Sequence, residues 1–154
     1  TLCWIGGGAH PEGGWEYNLA LDTPAAQFVF NESSAEIHQF PLTTYRQCAY
    51  CIAELEYVLS GGGPFGAWLY ERFTNPPTAI RIGDHWPQGD SPVVLTTALG
   101  TESSSTRSLP VPWIADDLSY REHPHSREMV LYDRVDTRLL FSDFAARISL
   151  LGRG

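Results

Sequence analysis

The apolar run Leu2–Ile5 ends directly on Gly6-Gly7-Gly8, and this limits the fold more than any other feature of the chain. A short apolar run that halts on glycines reads as a buried strand entering a tight turn. Helical patterns follow and alternate with further strand-like runs. Asp22-Thr23-Pro24 is a helix start, a capping side chain ahead of proline, and Ala26, Val29 and Phe30 give that helix its apolar face. Ile37 to Leu42 is a second strand-like run. Thr43 or Thr44 caps a helix running to about Leu59, where Gly61-Gly62-Gly63 stops it. Pro64 to Phe73 forms the next helix, ended by Asn75-Pro76-Pro77, and residues 74–89 form a long polar loop. Ser91-Pro92 starts the helix Val93–Leu99. The Ser/Thr/Pro-rich residues 100–112 read as a surface loop. Met129 to Val135 reads as a strand, and Asp136 caps a last helix carrying Leu140, Phe144, Ile148 and Leu151 at helical spacing.

Strands alternating with helices predict an α/β fold, an open, mostly parallel sheet flanked by helices. At 154 residues the simplest expectation is a single domain over residues 1–154. In such folds ligands sit beyond the carboxyl ends of the strands, which brings forward the loops at 6–18 and 76–90.

Charge and composition remove several function classes. The formal charge is −8, and Arg72, Arg81, Arg107, Arg121 and Arg127 are scattered singly, so there is no basic cluster for a nucleic-acid backbone. No apolar run approaches the roughly 20 residues needed to cross a bilayer. No signal peptide is visible, and a cytoplasmic location is expected. The chain opens on Thr1 rather than Met and is read as processed or as part of something longer. Three cysteines are too few for a disulfide scaffold. Cys48 and Cys51 fall with Ile52, Leu55 and Leu59 on one predicted helical stripe, so both thiols are expected in the core. His10, His38, His123 and His125 show no partner pattern, and Asn31-Glu32-Ser33, although it matches a glycosylation acceptor, has little to support it.

Two segments carry candidate chemistry. GGGAHPEGGWEYN (6–18) holds Glu16 and Asn18, and HWPQGDSPVVLTTAL (85–99) holds Asp90. Each sets a carboxylate or amide on glycine-rich backbone. A carboxylate accepts hydroxyl hydrogen bonds, and an amide both donates and accepts. Read plainly, Asp90 is the cap of the Ser91 helix, and Glu16 and Asn18 are loop residues. Trp15 and Trp86, beside these segments, are core or loop residues on the same plain reading, or the walls of a base pocket.

In order, GGGAHPEGGWEYN, DTPAAQFVF (22–30), FPLTTYRQ (40–47), GDSPVVLTTAL (89–99) and VDTRLLFSDF (135–144) resemble the C-terminal half of the inosine–uridine-preferring nucleoside hydrolases. The resemblance runs from Leu2 to about Ile148. It implies an open α/β fold, hydrolysis of the N-glycosidic bond of ribonucleosides, and a calcium ion that orients a water and the ribose. It implies that Glu16 and Asn18 bind ribose hydroxyls and that Asp90 binds both calcium and ribose; Trp86, by its place beside the Asp90 segment, is a further candidate substrate contact.

Two departures bear on activity. The family's Asp-x-Asp-x-x-x-Asp-Asp cluster, source of most calcium ligands and of the general base, does not occur here, and Asp116-Asp117 is the only adjacent pair. The histidine that precedes the late aspartate in well-known members is Gly89 here, with His85 four residues earlier as the candidate acid. The expectation is therefore a chain that is catalytically incomplete by itself. Its expected partners are a ribonucleoside and either a second copy of the chain or a missing N-terminal half that pairs near Leu2–Ile5. The alternatives are a non-catalytic nucleoside- or sugar-binding module and an assembly subunit.

Overall fold

The computed structural model describes residues 1–76, 83–99, 103–124 and 127–153. It divides into two compact units, Thr1–Gln47 with Gly89–Val135, and Cys48–Gln88 with Asp136–Gly154. Arg81, Pro77 and His125 lie outside the described residues.

The first unit is built on a four-stranded sheet. Strand β1 (Leu2–Ile5) pairs in parallel with β2 (Ile37–Phe40), and β2 pairs in parallel with β8 (Glu128–Val135). The antiparallel edge strand β5 (Ser104–Pro110) completes the order β1-β2-β8-β5. The result is an α/β arrangement with a mostly parallel sheet. Trp4, Gln39 and Leu131 stand in register, and with Ile37 and Met129 they face one side of the sheet. Helix α1 (Tyr17–Leu21), helix α2 (Thr23–Gln27) and the π-helical turn Phe28–Glu32 cover that side, where Leu19 and Phe30 join Val111, Ile114 and Tyr120 in one core. Each such side chain taken from water contributes about 1.5–3 kcal/mol. Asp22 caps α2 as expected, accepting from Ala25 N at 3.0 Å.

Arg127 closes the far end of this layer. Its guanidinium donates to Val29 O (2.9 Å) and Phe30 O (3.3 Å) of the π turn and to Ala35 O (2.7 Å) beyond it, while Val29 O also accepts from the Ser33 hydroxyl at 2.7 Å. Asn31 is likewise structural. Its amide donates to Ile114 O at 3.1 Å and its carbonyl accepts from Ile114 N at 2.9 Å. A two-stranded ribbon, β6 (Trp113–Ile114) and β7 (Tyr120–Arg121), turns through Asp116-Asp117. After β2 comes the short helix α3 (Leu42–Tyr45), whose Thr44 hydroxyl donates to Tyr132 O at 2.5 Å, and Asp90 leads into α6 (Ser91–Ala98).

The second unit holds the antiparallel pair β3 (Ala49–Cys51) and β4 (His85–Pro87) with helices α4 (Ile52–Ser60), α5 (Gly63–Thr74) and α7 (Thr137–Leu151). Tyr50, Leu55, Leu59 and Ile148 form its core, with Phe141 stacked on Tyr50 at 4.4 Å. At Gly66 an added Cβ would sit 1.9 Å from Leu59 O, so only glycine lets α4 and α5 approach this closely. Asp136 caps α7 as expected, accepting from Leu139 N at 2.9 Å.

Four sequence expectations are corrected. The single helix from Thr43 to Leu59 is instead α3, β3 and α4, because β4 takes the backbone of Ala49–Cys51 into a ladder. Cys48 is therefore buried and Cys51 exposed rather than both lying on one core stripe, and burial pushes the Cys48 thiol up to about 11. The expected loop at 100–112 contains the strand β5, since the β8 ladder recruits its polar residues. Finally, β1 is not a buried strand. It lies at the sheet edge with Leu2 and Cys3 exposed.

Candidate functional site

Glycine geometry begins the site. Gly7 sits at φ +85°, and a Cβ there would meet the Tyr120 hydroxyl at 2.2 Å and Gln39 Nε2 at 2.4 Å. The chain can turn there only with glycine. This turn, directly after β1, presents the Gly7 N–H to Glu16 Oε2 at 2.8 Å. The same oxygen accepts from Leu19 N at 3.0 Å, which makes Glu16 the N-cap of α1. The other oxygen, Oε1, accepts from the Tyr45 hydroxyl at 2.6 Å. Glu16 is 0% exposed. A buried carboxylate needs such donors, and three fix its plane. A carboxylate offers about four lone-pair sites, so one acceptor position on Oε1 remains.

Asn18 is fixed from the opposite direction. The Gly6 N–H bonds to Phe40 O of β2, so the Ile5 carbonyl in the same peptide points to the open edge of the sheet. Asn18 Nδ2 donates to that carbonyl at 3.0 Å. The half-buried amide thereby covers one group of an open edge.

Asp90 occupies the N-cap position of α6, yet its side chain makes no capping hydrogen bond. The carboxylate is exposed. Gly89 lies against Tyr45, where an added Cβ would stand 3.2 Å from the ring. The Tyr45 hydroxyl is pushed well above its ordinary range, first by burial, then by Glu16, with Asp90 adding in the same direction. Tyr45 thus bonds Glu16 and lies beside the residue that precedes Asp90. Glu16 lies in the loop after β1, Tyr45 in the helix after β2, and Asp90 at the head of α6. This is the carboxyl-end position where α/β sheets bind ligands.

The remaining candidates belong to the second unit. Trp86 packs edge-on against Phe73 at 6.2 Å between centroids. His85 Nδ1 is 2.9 Å from Asp84 Oδ1, and both side chains are exposed. Trp15 is 69% exposed and adds nothing to the first unit's core. Asp116 and Asp117 are engaged by Gln27 and by Ser119 and Arg121 in the ribbon turn.

Tyr45 was not a candidate from sequence. It lies 29 residues from Glu16, in a segment whose apolar pattern reads as continuous helix. Gln39 was likewise missed, a fully buried amide inside an apolar strand.

No protein-family model matches the chain, and no curated protein matches it.

Proposed function

We propose that this chain is a nucleoside-hydrolase-like protein in which Glu16, Asn18 and Asp90 grip the ribose of a ribonucleoside. One observation supports this above all. The buried Glu16 carboxylate is held by Gly7 N–H, Leu19 N–H and the Tyr45 hydroxyl in the loop after β1, and Gly89, next to Asp90, lies against the same tyrosine.

Each has a defined capacity. Glu16 keeps one acceptor position on Oε1, but the carboxylate is 0% exposed, so a sugar hydroxyl reaches it only when the loop between Gly7 and Glu16 opens. Asn18 has its Nδ2 committed to Ile5 O, which leaves the amide oxygen to accept. The exposed Asp90 carboxylate accepts from a further hydroxyl. Such acceptors also favour the positive charge that develops on the sugar as the base leaves. The reaction served is hydrolysis of the N-glycosidic bond.

The calcium implied by the resemblance takes about six to eight oxygen ligands. Asp90 supplies one carboxylate, and no group of three candidate ligand side chains lies together among the described residues. The residues present do not by themselves fit the ion, and no step is derived through it. The second reading, a nucleoside- or sugar-binding module without catalysis, uses the same three residues.

Calorimetry with inosine and 2′,3′-dideoxyinosine tests the grip. Inosine binds the 154-residue chain at least about tenfold more tightly, since each lost hydroxyl leaves a buried or committed acceptor unpaired. Equal affinities defeat the reading. Ribose release with added calcium separates the two versions: turnover on the order of 1 per second makes the chain an enzyme in its own right, and binding without release makes it a binding module.

A further inference from the structure

We propose that a cavity of about 570 Å3 in the first unit, where His10 and Pro11 meet the segments Leu109–Pro112 and Tyr120–Pro124, binds a small, flat, uncharged ring carrying one N–H or O–H donor. Neither Glu16, Asn18 nor Asp90 lines it, so this inference stands apart from the ribose reading.

The volume falls within the range of small-molecule sites, about 300–1,000 Å3. Four proline rings, Pro11, Pro110, Pro112 and Pro124, line it together with Leu109 and Tyr120. These are flat apolar surfaces, and proline has almost no side-chain freedom to lose when a ligand packs on it. The rim selects neither charge. Arg121 is paired with Asp117 at 3.4 Å, and the neighbouring Glu122 carries the opposite sign.

The donor requirement follows from His10. Gln39 Nε2 donates to Gly6 O at 2.9 Å and to the Tyr120 hydroxyl oxygen at 3.0 Å, which fixes the amide orientation because a carbonyl only accepts. Gln39 Oε1 must then accept, so His10 Nε2, 2.8 Å away, carries the ring proton. Burial holds His10 below its ordinary value, with Arg107 adding to this against Gln39 and Asp133. The ring is therefore neutral at pH 7 and above, and Nδ1 keeps a bare lone pair that can only accept. A second imidazole in the wall has an incomplete hydrogen-bond set: His123 packs edge-on against Trp113 at 5.3 Å, and its buried Nδ1 has no partner. Unpaired buried nitrogens are uncommon in native proteins, and the residue that carries this one lines the cavity.

The test uses indole, a flat ring with one N–H, and 1-methylindole, the same ring without it, titrated into the 15N-labelled chain at pH 7.5. Indole should shift the amides of His10, Val111 and Tyr120–His123 saturably, with a dissociation constant on the order of 1 mM, and should move the His10 Nδ1 resonance. 1-Methylindole should bind about fivefold more weakly, the size of one hydrogen bond. His10→Phe keeps a flat ring in the wall and removes both ring nitrogens, so it should bind both compounds alike. Equal affinity of the two compounds for the unmodified chain overturns the proposal, as do shifts that avoid these segments. That comparison needs no variant, so it decides the matter even where His10→Phe fails to fold.

Discussion

Replacing Tyr45 with phenylalanine isolates one bond at the centre of the site. The ring stays, so its packing against Gly89 is kept and no cavity opens. Only the hydroxyl that donates to Glu16 Oε1 at 2.6 Å is lost. The acceptor is a carboxylate with 0% exposure, so water cannot replace the donor. A hydrogen bond to a charged group contributes about 1.5–3 kcal/mol. Gly7 N–H and Leu19 N–H remain on Oε2, so the charge is not stranded and a larger loss is not expected. At about 2–4 °C per kcal/mol for a chain of this size, the melting point should fall by about 3–12 °C. Urea unfolding should show a lower midpoint at unchanged slope. The two compact units need not unfold together, so hydrogen exchange must locate the effect. The Gly7 and Leu19 amides should exchange faster, while Leu55 and Leu59 of the second unit stay as they were. A stability change below about 0.5 kcal/mol, the range of ordinary surface substitutions, would refute the bond and with it the orientation of Glu16.

Stability should also fall with acid in a window set by His10. Its folded pKa lies below the ordinary 6.5, so the unfolded chain takes up the proton first. This contribution is complete above about 6.5 and is lost as pH drops through the folded value, with Arg107 strengthening and Asp133 opposing the effect. Unfolding midpoints at pH 7.5 and 5.5 should differ by less in His10→Gln than in the parent chain. Arg127→Ala should cost about 2–4 kcal/mol, read by denaturant unfolding, because it removes the guanidinium donor from the carbonyls of Phe30 and Ala35 and leaves Val29 O only the Ser33 hydroxyl. Asp90→Asn should change stability by less than about 0.5 kcal/mol, since the side chain makes no capping bond, while weakening inosine binding about tenfold or more by calorimetry.

What was legible in the sequence was local. The strands at Leu2, Ile37 and Met129 announce themselves by apolar runs bounded by turn residues, and Asp22 and Asp136 cap helices by contacts only three residues away. The alternation of those elements was enough for an α/β sheet that is mostly parallel. What was not legible depends on distant partners. Strand β5 is polar because it is an exposed edge, and only its ladder with β8 reveals it. Cys48 is buried just before the strand β3 while Leu55 and Leu59 are buried in the helix α4, and their spacing mimics a single helical stripe. Arg127, one of the scattered arginines, is committed to carbonyls more than 90 residues away. Glu16 looked like a loop residue and is a buried cap. Glu16 and Asp90 were singled out by resemblance, and no local signal marks Tyr45, which bonds the first and lies against Gly89 beside the second.

The most direct measurement is an amide and side-chain NMR titration of the 154-residue chain with inosine, followed at Gly7, Leu19, the Asn18 Nδ2 group and the Gly89–Asp90 amides. If the ribose is gripped as proposed, these signals move together and saturate, and the Asp90→Asn chain shows the same pattern only at about tenfold or more higher inosine. Signals that stay fixed up to about 10 mM inosine, an affinity too weak to count as recognition, or an identical titration in the Asn variant, would contradict it.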